Sequence, residues 1–148
     1  MATGVFGGTF NPVHVGHLRV AEEIREDFHL DSVYFIPSHV PPHKEAAGGL
    51  PGERLRMLKA AVRGNASFKV SDMEIRRGGV SYTIDTLKRL ERRFDDIHFI
   101  IGVDAFRQID TWHHYEELFY HTGFIVMTRP ASLPADIPEM VPEAVRVK

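Results

Sequence analysis

Short apolar runs alternate along this chain with stretches whose apolar positions recur every three or four residues, and that alternation constrains the fold more than any other feature. Ala2–Phe6 is a run of the first kind, ending in Gly7 and Gly8. Leu18, Ala21, Ile24 and Phe28 then fall on one helical face. Val33–Ile36 stops at Pro37 and opens into a Pro-, Gly- and Ala-rich loop, His39–Gly52. A second helix is predicted from Pro51, a residue suited to a first helical turn, through Leu55, Leu58 and Val62. Phe68–Val70 follows as a strand, and Thr83 is placed to cap a third helix that turns Ile84, Leu87, Leu90 and Phe94 inward. Ile97–Ile101 reads as a buried strand closed by Gly102, then a shorter helix around Trp112–Phe119 and a last strand, Phe124–Met127. Strands separated by helices pair in parallel through right-handed crossovers and need cover on both faces. The expectation is an α/β fold, a doubly wound parallel sheet in one domain of 148 residues. Ligands of such sheets bind beyond the carboxyl ends of the strands, so loops Gly7–His17, Pro37–Lys44 and Gly102–Trp112 are expected to converge on one cleft. Residues Pro130–Lys148, carrying Pro134, Pro138 and Pro142, read as an irregular tail.

Composition narrows the chemistry. The absence of cysteine removes thiolate metal sites, disulfide frameworks and cysteine nucleophiles, and fits a reducing, cytoplasmic setting. Eighteen Lys and Arg stand against 20 Asp and Glu, a net charge of -2 that gives no general field for nucleic acid or anionic lipid. No basic leader opens the sequence and no apolar run approaches a bilayer span, so neither export nor a membrane partner is expected. Recognition of phosphate must then be local.

The local feature is Gly7-Gly8-Thr9-Phe10-Asn11-Pro12-Val13-His14-Val15-Gly16-His17-Leu18, where the first strand passes into the first helix. Glycines let backbone approach a phosphate, and a helix start offers unpaired N–H groups and the positive end of a dipole. Neither a dinucleotide fingerprint nor a P-loop is present. His14 and His17, three apart, put two imidazoles on one side of this anion seat, where fixed donors can take up charge on the phosphorus oxygens during an in-line transfer. Zinc ligation and a structural cap are the alternatives for the pair. His39, His43, His113, His114 and His121 match no compact ligand set, so no protein-held metal is expected.

Gly8-Thr9-Phe10-Asn11-Pro12-Val13-His14-Val15-Gly16-His17 resembles the signature of the HxGH nucleotidylyltransferase superfamily. Pro41-Pro42-His43-Lys44, Ser81-Tyr82-Thr83-Ile84-Asp85-Thr86-Leu87, and Ile101-Gly102-Val103-Asp104-Ala105 followed by Trp112 are similar, in the same order, to the bacterial nicotinate mononucleotide adenylyltransferases. The resemblance runs from Gly4 to Pro130. It implies a Rossmann-like nucleotidyltransferase fold and transfer of adenylyl from ATP, with Mg2+ bound mainly through the ATP phosphates, to nicotinate mononucleotide. The products would be nicotinate adenine dinucleotide and pyrophosphate, a step of NAD biosynthesis.

The resemblance also implies residue roles. Gly7, Gly8, Thr9, Phe10, His14, His17, Gly102 and Asp104 would form the ATP site, with His14 and His17 catalytic. Lys44, Thr86, Trp112 and Arg129 would hold nicotinate mononucleotide, the Trp112 indole offering its flat face to the ring. Read without the resemblance, Lys44 and Arg129 are solvated cations, Trp112 is core and Asp104 a helix cap. Family members carry a further Ile-Ser-Ser-Thr-x-Ile-Arg-like segment that contributes to the triphosphate pocket. The 148 residues contain none, which predicts slower turnover than for a chain extended through it. A superfamily transferase with another phosphate acceptor, and a nucleotide-binding module with weak catalysis, are the competing readings. Homo-oligomer formation is left open by the sequence.

Overall fold

The computed structural model describes residues 1–8, 10, 13–40 and 50–127, and residues 145–147 as backbone. Six strands form one parallel sheet: β1 Ala2–Gly8, β2 Ser32–Pro37, β3 Phe68–Val70, β4 Asp96–Gly102, β5 Gly123–Met127 and β6 Val145–Val147. Their order is β3-β2-β1-β4-β5-β6. The chain steps outward from β1 to β3, returns past both strands, and steps outward again from β4. The reversal between β1 and β4 is the topological switch point at which such sheets bind ligands.

Helices α1 (Val15–Asp27) and α2 (Pro51–Val62) cover one face. Ala21, Ile24, Leu58 and Val62 there meet Phe6, Val33, Phe35, Ile100 and Ile125. The other face carries α3 (Met73–Arg77), α4 (Thr83–Leu90), α5 (Val103–Arg107) and α6 (Tyr115–His121). Ile84, Leu87, Phe106 and Leu118 pack there on Val5, Ile36, Phe99, Ile101, Phe124 and Val126. Strand residues thus divide between the two cores with period two, as pleated geometry requires. Covered on both faces, the central strands read as continuous apolar runs.

Three features differ from the sequence expectation. Helix α5 lies within the expected loop Gly102–Trp112, and α3 lies between β3 and α4, where no element is expected; at five residues each they are too short for a periodicity to declare itself. Thr83 is the first residue of α4, not its cap; Tyr82 holds the cap position. The tail is not irregular throughout, since Val145–Val147 pairs with Phe124–Val126 as the outer strand. All four tail prolines precede that stretch, and its Val-Arg-Val alternation suits an edge strand.

Candidate active site at the carboxyl ends of the strands

The parallel register brings the ends of β1, β2 and β4 to one edge. Gly8 lies beside Pro37, and the Ser38 N–H donates to the Gly8 carbonyl at 2.9 Å. Gly7 has a packing reason to be glycine, because a Cβ there would stand 3.1 Å from the Phe99 ring. Gly102 has none: a Cβ would meet nothing within 4 Å, so space is open above the end of β4. The described parts of the three loops therefore share one edge, as expected.

Phe10 takes φ 49°, an uncommon conformation for a bulky residue. Its side chain is buried, edge-on to Phe6 at 5.4 Å and to His17 at 5.3 Å. Phe10 can therefore offer a nucleotide its backbone and not its ring. The buried ring props the turn from beneath, and His17 rests against it.

His14 is the N-cap of α1 and His17 lies one turn in. Their rings stack with centroids 3.7 Å apart and planes at 27°. The His14 backbone N–H donates to His17 Nδ1 at 3.1 Å, the reach-back that Glu or Gln makes in a capping box. With Nδ1 accepting, the proton of the neutral ring sits on Nε2, a fixed N–H donor. Burial, and then the neighbouring His14, push the His17 pKa below that of a free histidine, so its ring stays neutral at pH 7. The first turn of α1 holds no acidic residue to occupy the positive end of its dipole, whereas α2 carries Glu53 and α4 carries Asp85 there. Gly16 makes the stacking feasible, since a Cβ on it would stand 2.9 Å from the His14 ring.

Beside this turn, Ser38 Oγ is buried without a hydrogen-bond partner among the described residues. No sequence signal singles it out, because its burial depends on β2 pairing with β1.

The acceptor-side residues fare differently. Trp112 is half-buried, its indole edge-on to Phe99 at 6.3 Å, part core and part surface. Next to it His113 stacks on Tyr82 at 4.3 Å, joining the start of α4 to the Trp112 loop. Thr86 is 1% exposed, and its hydroxyl donates to Glu74 Oε2 at 2.7 Å while accepting from Arg77 at 3.3 Å. Its hydroxyl is thus engaged within the fold, between Glu74 and Arg77. Asp104, exposed, is the second residue of α5 and pairs with Arg107 at 3.3 Å; the cap position belongs to Gly102. Thr9, Lys44 and Arg129 lie outside the described residues.

Glu74 is the residue that sequence reasoning missed. Its carboxyl is buried, and its pKa is pushed up to about 7 by desolvation, against hydrogen bonds from Thr86 and Ser81 and the charge of Arg77. A glutamate between two short apolar residues carries no such message in sequence, because burial comes from α3 folding onto β2.

The family model of cytidylyltransferase-like proteins matches residues 5–146. The chain is 48% identical over 148 residues to the probable nicotinate-nucleotide adenylyltransferase of Geobacter metallireducens, covering 98% of this chain and 68% of that one. With the protein of the same name from Desulfatibacillum aliphaticivorans it is 50% identical over 131 residues, 88% of this chain and 61% of the other. A solved structure of Plasmodium falciparum nicotinic acid mononucleotide adenylyltransferase complexed with NaAD superposes with TM-score 0.84 over 99% of this chain and 74% of that chain; at 18% identity the likeness speaks for the fold. Among the described residues no helix is long and apolar enough to cross a membrane. The stacked histidines at a glycine turn on the switch point and the extent of these matches agree: the chain belongs to the nicotinate-nucleotide adenylyltransferases, nucleotidyltransferases of the cytidylyltransferase-like family.

Proposed function

We propose that this chain transfers the adenylyl group of ATP to the phosphate of nicotinate mononucleotide, with His14 and His17 holding the triphosphate at the start of α1. The observation that carries the assignment of roles is the bond from the His14 N–H to His17 Nδ1, which leaves Nε2–H as a preset donor. A phosphate oxygen of the acceptor attacks the α-phosphorus in line, the bond to the β-bridging oxygen breaks, and pyrophosphate leaves. The protein supplies no nucleophile. It stabilises charge on the equatorial oxygens with donors already in place, at a helix start whose dipole favours anions.

The open space above Gly102 gives the nucleotide a place to lie across the switch point, beside the backbone of Gly7, Gly8 and Phe10. The nicotinate side lies between Trp112 and the start of α4. Among the described residues no side-chain hydrogen bond caps that start, and the first backbone N–H groups of α4 would meet a carboxylate there. Among the described residues no three His, Asp or Glu side chains converge on a metal site. A magnesium ion carried mainly on the ATP phosphates would neutralise the leaving pyrophosphate.

Pyrophosphate release measured with ATP and a panel of phosphate monoesters tests the reading. Nicotinate mononucleotide should be preferred over its amide, over phosphopantetheine and over glycerol phosphate. Preference for one of the others overturns the acceptor assignment.

A further inference from the structure

We propose that Glu74 is a positioning residue for the acceptor half of the site: through Thr86 and Ser81 it holds the start of α4 against the strand-end segment 38–40. The inference rests on the acceptor reading above and assigns a role to a residue outside the signature motifs.

The connections run outward from one carboxylate. Glu74 Oε2 takes the hydroxyl hydrogen of Thr86 at 2.7 Å, and Ser81 hydrogen bonds to the same carboxyl group. Ser81 is itself a junction. Its Oγ accepts the His39 N–H at 2.8 Å and its N–H donates to the Val40 carbonyl at 2.9 Å. Val40 pairs with Val80, His39 Nδ1 lies 3.0 Å from the Gly79 carbonyl, and Arg54 reaches from α2 to the Ser38 carbonyl at 2.8 Å. Tyr82, next in sequence, stacks on His113 beside Trp112. Removing the carboxylate therefore takes away the side-chain anchor of this junction and leaves its backbone links. The His14 and His17 side chains have no bond into the network among the described residues; the backbone link toward them is the Ser38 N–H to the Gly8 carbonyl.

The donors that face the carboxyl group are the Thr86 hydroxyl from α4, the Ser81 hydroxyl from the preceding loop and the Arg77 guanidinium from α3 itself. The ionised form can accept from both hydroxyls at once. The protonated form carries a hydrogen on one oxygen; donating it to the Thr86 oxygen forces that hydroxyl to turn its own hydrogen away, so one accepted bond is reversed and the network loosens. Burial favours the protonated form and the donors favour the ionised one, a balance that falls near neutral pH.

Trp112 is the only tryptophan, so its fluorescence reports acceptor binding directly. The 148-residue chain and its Glu74→Gln and Ser81→Ala variants are titrated with nicotinate mononucleotide and, separately, with ATP, between about pH 6 and pH 9. At the alkaline end Glu74→Gln should bind nicotinate mononucleotide about tenfold more weakly than wild type, as expected on losing hydrogen bonds to a charged group. ATP affinity should change less than about twofold, and the acceptor ratio should shrink toward unity as the wild-type carboxyl protonates. Ser81→Ala, which keeps the carboxyl, should weaken the acceptor selectively as well. Equal acceptor affinity in Glu74→Gln and wild type, equal losses for both substrates, or a ratio that ignores pH overturns the inference. If wild type instead takes another phosphate monoester, the acceptor assignment fails, and the Glu74 inference stands or falls on the same ratio measured with that compound.

Discussion

Half-buried His17 and buried Glu74 are both titratable groups at the carboxyl edge of the sheet, yet their environments prepare them for opposite tasks. His17 is kept neutral with its proton on Nε2, and its value lies in a fixed direction. His17→Ala should lower kcat at least about a hundredfold, since removing one preorganised donor costs on the order of 3 kcal/mol of barrier. Steady-state kinetics with both substrates saturating check this, and near-native turnover removes His17 from the catalytic role. Glu74 has a pKa raised from 4.5 to about 7 in the folded chain. The raised value means that its contribution to stability is complete below the unfolded pKa and is lost as pH rises through the folded one. Wild type should therefore lose on the order of 3 kcal/mol relative to Glu74→Gln between about pH 4.5 and pH 8. Urea unfolding of both proteins at the two ends of that range measures the difference; parallel curves would show that the carboxyl is not desolvated as the fold implies. The ionised form that best braces the acceptor wall is thus the one that burial disfavours, a tension expected where function sets the residue.

Among the elements, α1 shows most plainly how local sequence becomes a site. Its N-cap and third residue are histidines, its second is the glycine over which one ring lies, and its first turn lacks an acid. Alanine near a helix start ordinarily stabilises by about 0.5–1 kcal/mol relative to glycine. Gly16→Ala should nevertheless lower turnover about tenfold or more, because its Cβ displaces the His14 ring, while Tm stays within a few degrees of wild type. Activity and thermal melting of the same preparation separate the two effects. The α4 element works by the opposite device: its uncapped start points at the proposed acceptor pocket, and its fourth residue, Thr86, is spent on holding the helix in place.

At the scale of the molecule, two cores share one sheet. Leu58 is fully buried on the face of α1 and α2, and Trp112 packs on the opposite face. Leu58→Ala should cost roughly 2–5 kcal/mol. If the chain is one cooperative unit, that loss should move the Trp112 fluorescence transition and the far-ultraviolet circular dichroism transition together. A tryptophan transition left in place would show that the two faces unfold separately. The order of β1 to β5 with the four longer helices, and the parallel sheet, were legible from sequence, because periodicity and glycine turns are local properties that each segment carries within itself. The same is true of His14, His17 and Gly16, whose partners lie within one helical turn. What the tertiary structure decided is everything that depends on distant segments meeting. It turned Phe10 into the core, buried the Thr86 hydroxyl against Glu74, left Ser38 Oγ buried and unpartnered among the described residues, and gave Glu74 a near-neutral pKa. Burial and hydrogen-bond partners at those positions come from strand pairing and helix packing across the chain, and no window of sequence holds both sides of such a contact.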